Sequence, residues 1–280
     1  MNEHLHQSED NKFIPMTSVS AGKGQEVWPD LYYYTNQIVN IVFAGSANSE
    51  KWVLIDAGMP HSGTKILEEA ADRFNSKPQA IILTHGHFDH VGGITKLIEE
   101  WKVPVYAHPL EFPYLTGKKD YPEPDTSVEG GMLAKISSIY PHKAIDISQV
   151  LMPLPTDGSL PYLPGWRWIH TPGHSPGHVS FFRDSDRILI AGDAFITVRA
   201  DSFYKVLTQQ KEVNGPPRYL TTDWQAAWDS VKALEALQPS IAITGHGTAM
   251  EGDELRSGLK KLVYEFETFA IPDHGKFVAK

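Results

Sequence analysis

Residues 84–93 read THGHFDHVGG, and the reading of this stretch decides the fold. It places His85, His87, Asp89 and His90 within six residues, directly after the apolar run AIIL and just before a helical pattern. In an extended turn, side chains two apart project to the same side, so His85 and His87 are set to grip one ion. Asp89 and His90, at the helix start, then face a second. A solvated loop has no need of three imidazoles and a carboxylate packed this densely between glycines that let the backbone turn tightly.

Two ions need roughly three or four protein ligands each, so about three further donors are required from elsewhere in the chain. Three candidates stand where a strand runs out into a glycine-bearing turn. They are His174 in TPGHSPGH, Asp193 at the end of RILIAGD, and His246 in TGHG. Read singly, His174 or His178 is a structural histidine, Asp193 a cap and His246 a turn residue. Beside the 85–90 cluster those plainer accounts lose their weight.

Composition narrows the chemistry further. The 280 residues carry 25 Lys and Arg against 34 Asp and Glu, a formal charge of −9, with 41% apolar residues and no cysteine. An acidic surface without a basic run repels phosphate backbones, so nucleic acid is not expected as a partner. Without cysteine there is no disulfide, no thiol nucleophile and no thiolate ligand, so any metal must use His and carboxylate. Residues 1–13 are polar where a signal peptide needs an apolar stretch, and no run approaches ~18 uninterrupted apolar residues. The expectation is a cytoplasmic monomer or homodimer acting on a small-molecule substrate, with no membrane contact.

Periodicity gives the organisation. Residues 1–13 read as a disordered tail and 14–280 as a single domain. QIVNIVFAG and KWVLIDAG form a hairpin, a helix with Leu67, Ala70, Ala71 and Phe74 on one stripe and Ser62 as cap follows, then strand AIIL, a helix from Val91 to Trp101, and strand PVYAH. Residues 110–165, rich in Pro and Gly, read as a lid-like insertion over the core with one helix near Met132–Ile139. Phe112, Tyr114, Tyr121 and Tyr140 there either pack an acyl chain or anchor the loop, and Phe195–Tyr219 is a second lid candidate. GWRWIHTPGH, HVSFFRD and RILIAGD read as strands of a second sheet, followed by a helix capped by Thr222 or Asp223, the strand IAI, and a helix from Asp253 to Phe269. LIDAG leading through a helix to ILTHGH is echoed by LIAGD leading through a helix to AITGHG, which suggests two similar sheet-helix layers facing one another.

THGHFDH, TPGHSPGH, GDAF and TGHG, in this order from about Val39 to Gly247, resemble the metallo-beta-lactamase superfamily of metal-dependent hydrolases. The resemblance implies an α+β fold, a four-layer αββα sandwich with a dinuclear site at one edge of its two sheets. It implies two divalent ions, with zinc the default and iron or manganese suited to the same donors. One ion would take His85, His87 and His174, the other Asp89, His90 and His246, with Asp193 bridging both. Asp56, in LIDAG, would orient a ligand by hydrogen bonding without touching metal. His178 is the weaker candidate of its pair.

The implied chemistry is hydrolysis: hydroxide held between the ions attacks an ester, thioester or lactone carbonyl, and Asp89 doubles as a proton shuttle. The departures narrow it. The best-known beta-lactamase subclass uses a cysteine ligand that this chain lacks, and the lactonases carry a tyrosine three residues after the bridging aspartate, where this chain has Ile196. A di-iron oxidoreductase, a sulfur-handling member of the fold and a phosphodiesterase are the alternatives.

Overall fold

Val39–Ala44 is buried at every position, and its side chains divide by parity: Ile41 and Phe43 enter one apolar cluster, Val42 and Ala44 another. A strand covered on both faces reads as an unbroken apolar run because its side chains alternate between faces. Ile188–Gly192 behaves alike, sending Ile188 and Ile190 into the cluster shared with Val42, and Leu189 and Ala191 into a third. Two sheets therefore face each other through the shared cluster and carry helices on their outer faces. This is the αββα sandwich that the resemblance implied.

The computed structural model describes residues 18, 20–128, 137, 140–198 and 211–278. The first sheet runs in chain order through β1 (Lys23–Trp28), β2 (Leu31–Asn36), β3 (Val39–Ala44), β4 (Val53–Ile55), β5 (Ala80–Ile82), β6 (Val105–Ala107) and β7 (Leu151–Pro153). Its first four strands pair antiparallel and its last four parallel. β8 (Trp166–His170), β9 (Val179–Arg183) and β10 (Ile188–Gly192) belong to the second sheet. A ribbon of β11 (Ile196–Val198) and β12 (Lys211–Asn214) stands apart, and β13 (Ile241–Thr244) and β14 (Met250–Glu251) complete the second sheet in the order β14-β13-β10-β9-β8. Helices Gly63–Arg73 and Ile94–Trp101 cover the first sheet, and Trp224–Ala236 and Gly252–Tyr264 the second.

The echo between the halves has a structural counterpart. β4 and β5 are parallel neighbours with a helix between them in sequence, and so are β10 and β13. Parallel strands end on the same side, so the residues that follow them gather at one edge. There the sheets are stitched together: Asn40 N–H donates to Gly245 O (2.7 Å), Asn40 Nδ2 to Thr244 O (2.9 Å), and Val179 N–H to Thr84 O (2.9 Å).

Several expectations are corrected. The ordered strands begin before Gln37, since β1 and β2 precede the hairpin. The helix from Val91 to Trp101 is two helices, Phe88–Val91 and Ile94–Trp101, because Gly92 and Gly93 press against another loop: a Cβ on Gly92 would lie 2.2 Å from the Met59 and Pro60 backbone. On Gly63–Arg73 the buried stripe is Ile66, Ala70 and Phe74, while Ala71 is exposed. Ser62 occupies the cap position, yet its hydroxyl faces Ala57 O at 3.4 Å and caps nothing. Asp223 is the working cap of Trp224–Ala236, accepting from Ala226 N–H. The last helix breaks at Glu265. The 110–165 segment is more than a cover, because β7 within it extends the first sheet. The tail 1–13, the expected helix Met132–Ile139 apart from Ser137, and 199–210 of the second lid candidate lie outside the described residues.

Candidate metal centre

Every predicted donor arrives at the same edge. His85 and His87 sit in the turn after β5, and Asp89 and His90 in the short helix that follows. His174 lies between β8 and β9, Asp193 follows β10, and His246 follows β13. All seven side chains are buried. They form three overlapping groups whose donor atoms lie within 4.8 Å of one another: His85, His87 and His174; His85, His90 and Asp193; Asp89, His90 and His246. Asp193 Oδ2 faces the Nε2 atoms of His90, His174 and His246 at 3.5, 3.4 and 3.3 Å, and His246 Nε2 also faces Asp89 Oδ2 at 3.3 Å.

Hydrogen bonds on the outer side of the rings decide what the inner side offers. Thr84 Oγ1 donates its proton to Asp56 Oδ2 (2.8 Å), so toward His85 Nδ1 (3.0 Å) it can only accept. The His85 proton is therefore on Nδ1, and Nε2 points inward as a bare lone pair. The same logic holds for His174: Thr221 Oγ1 donates to Pro217 O (2.8 Å) and so accepts from His174 Nδ1 (3.2 Å). His90 Nδ1 donates to Asp56 Oδ2 (2.8 Å) and His246 Nδ1 to Ile38 O (3.0 Å). His87 alone is turned round, with Nδ1 inward, 2.9 Å from His174 Nε2.

Four imidazoles thus aim Nε2 into one small volume, as a bare lone pair on His85 and His174 and, once the proton is given up, on His90 and His246. Among the described residues, His85 Nε2, His90 Nε2, Asp89 Oδ1 and Asp193 Oδ1 are buried with no hydrogen-bond partner. Orphaned buried acceptors cost about 1–3 kcal/mol each, which a cation would relieve. A His and carboxylate donor set of this shape fits divalent metal ions.

The electrostatics divide the site. Burial, helped by the His90, His87 and His174 rings, holds His85 well below the ordinary imidazole range. Burial likewise pushes His87 down to about 4 and holds His174 well below its usual value. Burial opposes charge on His90 and His246 too. There the carboxylates outweigh it: Asp193, Asp56 and Asp89 hold His90 well above the usual value, and Asp193 and Asp89 carry His246 up to about 10. Asp193 is buried, which favours its neutral form, yet His246 and His90 hold it well below the carboxylate range. Protons on His90 and His246 and a divalent ion are competing answers to the same negative field, so metal uptake there releases protons.

Asp56 is hydrogen-bonded to His90 and to Thr84. Its Oδ1 accepts from Thr84 N–H (2.8 Å), and its Oδ2 from Thr84 Oγ1 and His90 Nδ1. His174 and His178 differ by the same accounting, because both His178 nitrogens are occupied. Its Nε2 accepts from Asp193 N–H (2.9 Å) and its Nδ1 meets Thr171 Oγ1 (2.8 Å), so it holds the backbone of Asp193 in place. Tyr114 and Tyr121 of the insertion anchor it, stacked on each other at 3.9 Å. Glu111 escaped sequence reasoning, and Tyr121 was read there only as an aromatic of the insertion. Glu111 and the Tyr121 hydroxyl reach the histidine-bearing loops, and a lone acid in EFPYL carries no signal of that role.

Burial also makes His178 a pH-sensitive group, pushed down to about 3 from an ordinary value of 6.5. The unfolded chain accepts a proton there that the folded chain refuses. The stability contributed by the neutral ring is fully present above pH 6.5 and is lost as pH falls from there toward 3. His178→Gln is expected to flatten the decline in Tm of metal-free protein between about pH 6.5 and pH 4, a slope readable by calorimetry. A variant slope identical to wild type would show that His178 does not carry the effect.

Comparison with known proteins agrees with this geometry. The profile of the metallo-beta-lactamase superfamily matches residues 34–246. The chain belongs to the metallo-beta-lactamase superfamily. A relative from Bacillus subtilis named as a probable metallo-hydrolase, YflN, is 47% identical over 253 residues, covering 89% of this chain and 96% of its own. A second from the same organism, the probable metallo-hydrolase YybB, is 32% identical over 61% of this chain and 64% of its own. Among solved structures, TTHA1623 in a di-iron-bound form shares 27% identity with a TM-score of 0.51, covering 76% of this chain and 89% of its own. The archaeal superfamily protein ST1585 from Sulfolobus tokodaii shares the fold at a TM-score of 0.56 and 20% identity, over 91% of this chain and 85% of its own. As a member of this superfamily, the chain brings together His and Asp donors that fit a metal site. Among the described residues no helix is long and apolar enough to cross a membrane.

Proposed function

We propose that this superfamily member is a dinuclear hydrolase of small-molecule esters, thioesters or lactones. The observation that carries the reading is the inward set of lone pairs, with Asp193 Oδ2 facing three imidazole nitrogens at once. His85, His87 and His174 would hold one ion, Asp89, His90 and His246 the other, and Asp193 both. Ions held there would supply Lewis acidity, making water a better nucleophile at neutral pH and a carbonyl a better electrophile.

The chain's own residues do the rest. Thr84, Asp56, Thr221 and Ile38 O fix which imidazole nitrogens face inward. Asp89 directs Oδ2 at His246, while its Oδ1 has no hydrogen-bond partner among the described residues, so that oxygen is placed to take a proton and return it to the leaving group. Phe88, Tyr140, Ile196 and Tyr219 belong to an apolar cluster, with Tyr140 and Tyr219 close enough to feel the Asp89 charge. The net charge of −9 supports an acyl-bearing substrate over a free phosphate. Zinc is the default occupant for these donors.

The decisive experiment combines metal analysis of purified protein with a panel of lactone, thioester, ester and phosphodiester substrates. About two ions per chain and turnover of a carbonyl substrate, abolished by chelator and restored by zinc, are expected. Turnover of the phosphodiester alone would move the reading to that class. A second reading, a di-iron oxidoreductase, draws on the di-iron form of TTHA1623. Coloured, iron-loaded protein without hydrolytic turnover would favour it.

A further inference from the structure

Glu111 is fully buried at the end of the short turn Pro109–Glu111, and both of its oxygens are engaged twice. Oε1 accepts from Ser175 Oγ (2.8 Å) and Gly177 N–H (2.7 Å). Oε2 accepts from Gly86 N–H (3.0 Å) and from the Tyr121 hydroxyl. The same hydroxyl also accepts from Gly86 N–H at 3.1 Å, and the Tyr121 ring lies 4.4 Å from that of His87.

The donors come from two different loops. Gly86 separates His85 from His87, while Ser175 and Gly177 directly follow His174. One carboxylate therefore ties together the two segments that carry the three-histidine group. The fit is close at both ends: a Cβ on Gly177 would lie 2.7 Å from Glu111 Cγ, and one on Gly86 2.7 Å from the Tyr121 hydroxyl oxygen. Only an acid in its ionised form offers enough lone pairs for four donors at once. A buried carboxylate is otherwise costly, so this arrangement holds the two loops strongly to one separation.

We propose that Glu111 is a positioning residue for metal binding: it staples the Gly86 turn to the Ser175–Gly177 turn and so sets the spacing at which His85, His87 and His174 converge. Through this carboxylate the lid-like insertion is coupled to the three-histidine site. This inference rests on the dinuclear reading above.

Cobalt(II) titration of the full chain, followed by calorimetry and visible absorption, tests it. His174→Ala and His246→Ala serve to assign the two binding steps. Wild type is expected to bind two ions. Glu111→Gln, which keeps the shape but turns an amide donor toward two other donors, is expected to lose about 10- to 100-fold in affinity at the three-histidine step, with a changed absorption band there. The Asp89–His90–His246 step should stay at wild-type affinity. Tyr121→Phe removes one of the four donors and should show a smaller loss at the same step alone. Unaltered titrations in both variants, or equal weakening of both steps, would overturn the role of Glu111 and leave the dinuclear reading standing. If Glu111→Gln does not fold, Tyr121→Phe decides by the same criterion. Wild-type protein that binds no cobalt would remove the dinuclear reading itself, and this role with it.

Discussion

Asp193→Asn is expected to reduce bound metal from two ions per chain to at most one and to lower kcat/KM by about 10³-fold or more, roughly 4 kcal/mol of transition-state stabilisation. The reason is geometric. Asp193 Oδ2 is the one atom facing His90, His174 and His246 together, at 3.5, 3.4 and 3.3 Å, so its charge serves both donor groups. Asparagine keeps the volume and leaves the backbone contact with His178 available, but it presents a neutral oxygen or an amide donor to nitrogens that already face inward. Two nearby cations would then repel with less screening between them. Metal content by mass spectrometry and steady-state kinetics check the two effects together. An Asp193→Asn protein holding two ions at full turnover would remove Asp193 from the centre.

The second large effect falls on stability. Asp56→Ala is expected to lower the stability of metal-free protein by about 4 kcal/mol, a drop in Tm of roughly 10 °C for a chain of this size. Three donors lose their acceptor at once: Thr84 N–H, Thr84 Oγ1 and His90 Nδ1, all in a buried environment. Asp56 also holds φ at +62°, where alanine is disfavoured and Asp or Asn is better tolerated. Asp56→Asn separates these contributions. It keeps the tolerated backbone and one acceptor oxygen, so it should cost about 1–2 kcal/mol while still weakening metal affinity about 10- to 100-fold through the loosened His90 ring. Thermal unfolding with and without zinc distinguishes the two substitutions. Equal Tm for Asp56→Ala and wild type would refute the account.

How far the sequence carried this reading can be argued residue by residue. The cluster His85, His87, Asp89 and His90 was legible because ligand spacing on a turn is a local property, visible in six consecutive letters. The buried strands Val39–Ala44 and Ile188–Gly192 were legible as apolar runs for the same reason. Gly92 and Gly93 looked like helix residues because the Met59–Pro60 loop that forbids a side chain there is more than thirty residues away in the text. β7 was hidden inside an insertion, since LMP is a short edge strand that only its pairing with β6 reveals.

His178 and Glu111 show the other limit. TPGHSPGH offers two histidines of equal appearance, and what separates them is that Asp193 N–H already occupies Nε2 of the second. Glu111 became visible only when the turn after β6 was laid against the loops at Gly86 and Gly177. The amino-acid sequence alone determined the donor types, the 85–90 cluster and two sheet-helix layers, because these follow from local spacing and from the periodicity with which apolar side chains alternate, while the four-layer sandwich was implied by the family resemblance. Only the tertiary structure decided which nitrogen of each imidazole faces inward and which residues hold it there, because a proton's position depends on hydrogen-bond partners brought together from opposite ends of the chain.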